Sequence, residues 1–207
     1  MIDVIVGGDG SYLEQVVNLD HKVFSPWAWK TEAQYREIFD KSPNSFLFSI
    51  DSDTGKLIGY LIVLPVTKEY FERTLLPDFS ENDISPDKIK NFSKGTNNLI
   101  YLMGIANDPH SKDRLRSLNK LSVTYKNILK SMAQDEFILV SQASALACGE
   151  GGVKLCLGLK MNEVCTNHKG VIYVNRKFHE EFLNLCDKQE LLKALQSNVI
   201  ASKRIDN

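Results

Sequence analysis

Two stretches decide how this chain folds: Lys56-Leu-Ile-Gly-Tyr-Leu-Ile-Val-Leu-Pro-Val66 and Asn98-Leu-Ile-Tyr-Leu-Met-Gly-Ile-Ala-Asn107. Each is apolar at nearly every position, the pattern of strands buried on both faces. The turn pair Thr54-Gly55 precedes the first. The second runs through Asp108-Pro109 into a basic, helix-like segment. A buried strand that feeds a basic helix start is a common way to build a pocket for a phosphate-bearing ligand.

Working outward, residues 2–6 alternate apolar and polar as a short strand, and Gly7-Gly8-Asp9-Gly10 makes a turn. The glycine spacing fits neither a dinucleotide fingerprint nor a P-loop. Leu13, Val16, Val17 and Leu19 predict a helix with Ser11 as cap and Glu14 three residues on, fading near Phe24-Ser25-Pro26. Thr31 caps a second helix carrying Ala33, Tyr35, Ile38 and Phe39, which stops at Ser42-Pro43-Asn44. Residues 46–50 and 56–66 read as an antiparallel hairpin about the turn 51–55. A short helix over 67–76, capped by Thr67, leads to residues 77–95, a polar stretch that reads as mostly surface loop with one helical turn. A strand over 99–106, a helix over 115–132 with strong apolar periodicity, a strand over 136–141 and a short helix within 143–159 come next. Residues 162–166 and 171–175 flank a hairpin turn. An amphipathic helix spans about 178–195. This order predicts an α/β (α+β) fold built on a single mixed sheet flanked by helices, with one domain over 1–176 and a C-terminal helical extension over 177–207.

The composition is that of an ordinary globular protein, 43 % hydrophobic and 25 % charged, so one core is expected. The net charge of −1 gives no pull toward nucleic acid or an anionic membrane. No apolar run is long enough to span a bilayer. The first residues have neither the basic region nor the apolar core of a secretory leader. Cys148, Cys156, Cys165 and Cys186 form no C-x-x-C pair and no zinc spacing. They read as reduced structural thiols in a cytoplasmic protein, and no metal site is expected.

The element order, together with Asp53-Thr-Gly-Lys-Leu-Ile-Gly-Tyr60, Asn98–Asn107 and Cys148-Gly-Glu-Gly-Gly-Val-Lys-Leu-Cys-Leu-Gly-Leu-Lys-Met161, resembles the GNAT superfamily of acyl-CoA N-acyltransferases over residues 2 to 175. The resemblance implies a mostly antiparallel sheet and acetyl-CoA or another acyl-CoA as co-substrate. It also implies a small-molecule or peptide amine as acceptor. The family's fourth strand bulges so that free amides bind the acyl group, which here points to Gly104, Ile105 and Ala106. Its phosphate loop, Arg/Gln-x-x-Gly-x-Gly/Ala, follows that strand. This chain departs from it: no glycine lies between Gly104 and Gly149. Lys112, Arg114, Arg116, Ser117 and Asn119 occupy the region instead, and arginine side chains and backbone amides can hold phosphate there.

The residues also admit plainer readings. Gly104 fits a bulge or simple packing. The basic segment 112–120 fits an anion site or a solvated helix flank. Trp27 and Trp29, between the first two helices, fit either an acceptor pocket or a hydrophobic clasp. For proton transfer the candidates are Glu150, Tyr101 and Ser141, and the helix near 150–159 lacks the tyrosine that the family often uses as acid. Two functions follow: an N-acyltransferase, or a GNAT-fold module that binds a ligand or protein without catalysis, as the altered loop suggests. A third reading is a protein that dimerises through the apolar face of its tail helix.

Overall fold

The computed structural model describes residues 1–178. The expected tail helix, its dimer face, Cys186 and His179 lie outside the described residues. Seven strands form one sheet: β1 (Ile2–Val6), β2 (Phe46–Asp51), β3 (Lys56–Pro65), β4 (Gly95–Asn107), β5 (Ile138–Ala147), β6 (Asn162–Asn167) and β7 (Gly170–Asn175). Their spatial order is β1-β2-β3-β4-β5-β7-β6, and only β4 and β5 run parallel. The fold is thus α+β, with a mixed and mostly antiparallel sheet. The central strands β2 and β3 are buried almost throughout, which explains their continuous apolar sequence.

Helices α1 (Leu13–Val23), α2 (Glu32–Lys41) and α3 (Lys68–Arg73) cover one face. Helices α4 (Arg114–Asp135) and α5 (Glu150–Gly158) cover the other. Thr31 and Gln34 close a reciprocal capping box at α2, and Thr67 accepts a bond from the Tyr70 amide at α3. Ser11 does not cap α1. The helix starts at Leu13 after Gly10, whose positive φ of 76° turns the chain, and the Ser11 amide is bonded to Asp9.

Two expectations are corrected. Residues 77–95 are more than a surface loop with one helical turn. They bury Phe79, Glu81 and Ile89 on the α1–α2–α3 face and form two 3-10 turns. Spaced singly among polar residues, these three show no periodicity, yet each reaches the core. Strand β5 continues to Ala147, past the end expected at Ser141, and the short helix expected within 143–159 is α5. Its small residues, Ala143 to Ala147, fit a strand paired on both sides, with β4 and β7.

Candidate active site

The site begins with the register of β4. Ile62 faces Gly104 while the next residue, Val63, faces Leu102, so Met103 is an extra, bulged residue. Gly104 stands directly after it. A Cβ there would lie 3.1 Å from Tyr60 Cε2 and 3.4 Å from Tyr60 Oη, so the missing side chain lets the Tyr60 ring approach the strand. On the opposite edge of β4, pairing with β5 stops at Leu102–Ala145. Beyond that point β5 continues with β7, through Leu146–Ile172 and Ala147–Val171, while β4 continues with β3 as far as Asn107. The two parallel strands therefore separate. Residues Met103 to Asn107, including Ile105 and Ala106, carry a strand edge with no β5 partner.

This edge leads into α4. Ser117, fully buried, donates to Asn107 Oδ1 at 2.5 Å and ties the first helical turn to the end of the strand. Asn107 in turn sits over Gly59, where a Cβ would fall 2.2 Å from its Oδ1, so only glycine fits at that position. At the helix start the amides of Leu115 and Arg116 make no hydrogen bond among the described residues. Lys112, Arg114, Arg116 and Asn119 are exposed. The three cations enter no ion pair among the described residues. Lys120 is different: its ammonium donates to the Ile2 carbonyl and anchors β1. Asp108 receives Lys22 at 3.6 Å and Lys56 at 3.8 Å. Burial works against its charge, but the His110 amide and these lysines hold the Asp108 carboxyl below its usual range.

Beneath the separation, on the α1–α2–α3 face, lies a group of buried polar side chains. Tyr35 donates to Asp20 Oδ2 at 2.6 Å, and Tyr60 donates to Asp20 Oδ1. Tyr101 donates to Glu81. Both carboxylates are nearly inaccessible, at 1 % and 8 % exposure. Burial raises both above the usual carboxylate range. The tyrosine hydroxyls and Lys30 oppose that shift, and Lys30 is the foremost counterweight at Glu81. Burial pushes Tyr60 and Tyr101 well above the usual phenol range, with the neighbouring charges adding to it, so both remain neutral donors. Lys30 is only 4 % exposed, and its ammonium makes no hydrogen bond. The Tyr70 hydroxyl is buried and unpartnered as well. At the end of β5 stands Cys148, an exposed residue whose thiol is nevertheless pushed up to about 12, by desolvation first and then by Glu81.

The sequence candidates fall into three places. Gly104, Ile105, Ala106, Lys112, Arg114, Arg116, Ser117 and Asn119 line the β4 edge and the mouth of α4. Tyr101 joins the buried group, and Trp27 borders it: Lys169 sits 5.7 Å above the Trp27 ring, donates to Ser80 at 2.6 Å and lowers Glu81 electrostatically. The others stand apart. Trp29 packs on His21 at 4.2 Å and donates to the Phe24 carbonyl at the end of α1. Ser141 donates to the Asn98 carbonyl in the paired half of the sheet. Glu150 forms an exposed pair with Lys154 at 2.5 Å.

Sequence reading missed Asp20, Lys30, Tyr60 and Glu81. Asp20 carried a usable signal, since it lies four residues after Val16 on the buried stripe of α1, where a carboxylate is out of place. Glu81 carried none, being one acid among several in a polar stretch.

The sheet and its flanking helices match known structures across most of the chain. The chain has the GNAT fold. Its structure superposes on the loading GNATL domain of CurA from Lyngbya majuscula with a TM-score of 0.59 and 9 % identity, covering 86 % of this chain and 99 % of that one. The NatC complex bound to Gag peptide and CoA gives 0.52 at 11 %, covering 84 % and 95 %. The ribosomal-protein-S18-alanine N-acetyltransferase from Escherichia coli gives 0.50 at 11 %, covering 86 % and 94 %. No family model and no curated protein matches the sequence. The GNAT fold is therefore shared with acetyltransferases, and with CoA-binding members, at low identity. Among the described residues no cluster could hold a metal ion, and no helix is long and apolar enough to cross a membrane.

Proposed function

We propose that residues 1–176 form an acyl-CoA-dependent N-acyltransferase, transferring an acetyl group to a primary amine of a small molecule or peptide. The observation that carries this reading is the bulge at Met103 beside the unpaired β4 edge, directly upstream of a helix with free N-terminal amides and unpaired arginines. The edge amides of β4 would receive the acyl carbonyl and the extended arm behind it. The Leu115 and Arg116 amides, with Arg114 and Arg116, would take the diphosphate.

The acceptor nitrogen attacks the thioester carbon; the N–C bond forms and the C–S bond breaks. The proton lost by the amine goes to Glu81, and the departing thiolate takes a proton from solvent at the open end of the β4–β5 gap. Burial suits Glu81 to this role, because raising a carboxylate above its usual range makes it a stronger base. Tyr101 holds Glu81 in place. Reduced thiols and the absence of a membrane-crossing helix among the described residues are consistent with a cytoplasmic location.

Calorimetric titration with acetyl-CoA, followed by a thiol-release assay over a panel of amines, tests the proposal. Saturable binding with thiol release is the expected result; no binding of any acyl-CoA overturns it. One observation favours the second reading, a module that binds without catalysis. Three lysines near the helix mouth, Lys22, Lys56 and Lys120, are committed to protein partners rather than left for phosphate. Binding without turnover of any amine would select it.

A further inference from the structure

Lys30 is the most anomalous side chain in the described structure. Its ammonium is buried, makes no hydrogen bond, and has no carboxylate oxygen within 4.0 Å among the described residues. Yet it lies within electrostatic range of Asp20, Glu81 and Cys148. Asp20 is occupied by two tyrosine hydroxyls and Glu81 by one, so both acids are served without it. A second buried donor, the Tyr70 hydroxyl, also lacks a partner and also lies in range of Glu81. Two orphaned donors near one carboxylate are unspent binding capacity for a group that brings acceptor oxygens.

We infer that Lys30 is the recognition cation for a carboxylate on the acceptor, so that the acceptor is an amino acid rather than a bare amine. This rests on the acyltransferase reading for its site but not for its test. In the bound state the acceptor's carboxylate meets Lys30 and Tyr70, while its amino group faces Glu81, below the open β4 edge at Gly104. The charge balance favours such a ligand. A ligand carboxylate would give the buried Lys30 ammonium the anionic partner it lacks, whereas a bare ammonium would add a second cation beside it. The site lies close to the surface, since Cys148 is exposed and Trp27 is only half buried at its border.

The test uses the full chain without acyl-CoA. Each of the twenty L-α-amino acids, and the amine left when its carboxylate is removed, is titrated by calorimetry and thermal shift. The expected result is at least one amino acid that binds about tenfold or more tighter than its amine. In Lys30→Met that ratio falls to within about twofold of unity, and Lys30→Arg restores part of it. The inference is overturned if no amino acid binds, or if the preference survives Lys30→Met, in which case Lys30 is a structural lysine satisfied by water. Should Lys30→Met fail to fold by circular dichroism, the wild-type ratio and Lys30→Arg decide. The two readings fail separately. Amino-acid binding without acyl transfer sinks the transferase alone, and acylation with no preference for carboxylate-bearing amines sinks this inference alone.

Discussion

The mouth of α4 and the group around Glu81 are both dense in charge, and both border the gap between β4 and β5, from opposite faces of the sheet. At the helix mouth the charges are mostly cationic, and Lys112, Arg114 and Arg116 are exposed and in no ion pair among the described residues. Around Glu81 they are buried, of both signs and wrapped by tyrosine hydroxyls. Water screens the first set, which can still attract an anion. The second set is stripped of water, and its acids are displaced upward. On the function proposed above, the contrast would divide the labour: the helix mouth would hold the co-substrate, and the buried group would handle protons.

The sharpest way to break that division is Glu81→Gln. Turnover should fall by about 10²–10⁴-fold, with the acetyl-CoA Kd from calorimetry unchanged. A parallel loss of binding would mean that the two regions are not separate. Next, Arg114→Ala with Arg116→Ala should weaken acetyl-CoA binding by about tenfold at low salt and by less as salt rises, with kcat preserved at saturation.

A third experiment sharpens the electrostatics. Lys30 is the main influence holding Glu81 down, so Lys30→Met should move the acidic limb of the kcat/KM profile to higher pH. A fourth concerns stability. Asp20 and Glu81 bind a proton more tightly folded than unfolded, so stability is greatest below their unfolded values and declines as pH rises through the raised folded ones. Denaturant midpoints between pH 4 and pH 8 should show this decline, and Glu81→Gln should flatten it. The smallest effect is at Cys148. With its thiol near 12 it should resist iodoacetamide at neutral pH despite its exposure, as peptide mass mapping can verify.

Much of the fold was legible in the chain. Apolar runs marked β3 and β4, Thr31 and Thr67 marked helix starts, and the 115–132 periodicity marked α4, because each signal is local and repeats with the period of its element. Gly104 and the basic helix start were visible for the same reason. Strand β5 beyond Ser141 was not, since the small residues of Ala143 to Ala147 suit a short helix as well as a strand until β4 and β7 pair with them.

The sequence by itself determined which segments become strands and helices, and where cations gather along the chain. Only the tertiary structure decided that Asp20 from α1, Lys30 from the following loop, Tyr60 and Tyr101 from adjacent strands and Glu81 from a polar excursion share one dry space. The reason is physical. A local pattern reports how each residue meets its neighbours along the chain, whereas the displaced acids arise from desolvation, which depends on segments as far apart as Asp20 and Tyr101 closing over the same volume.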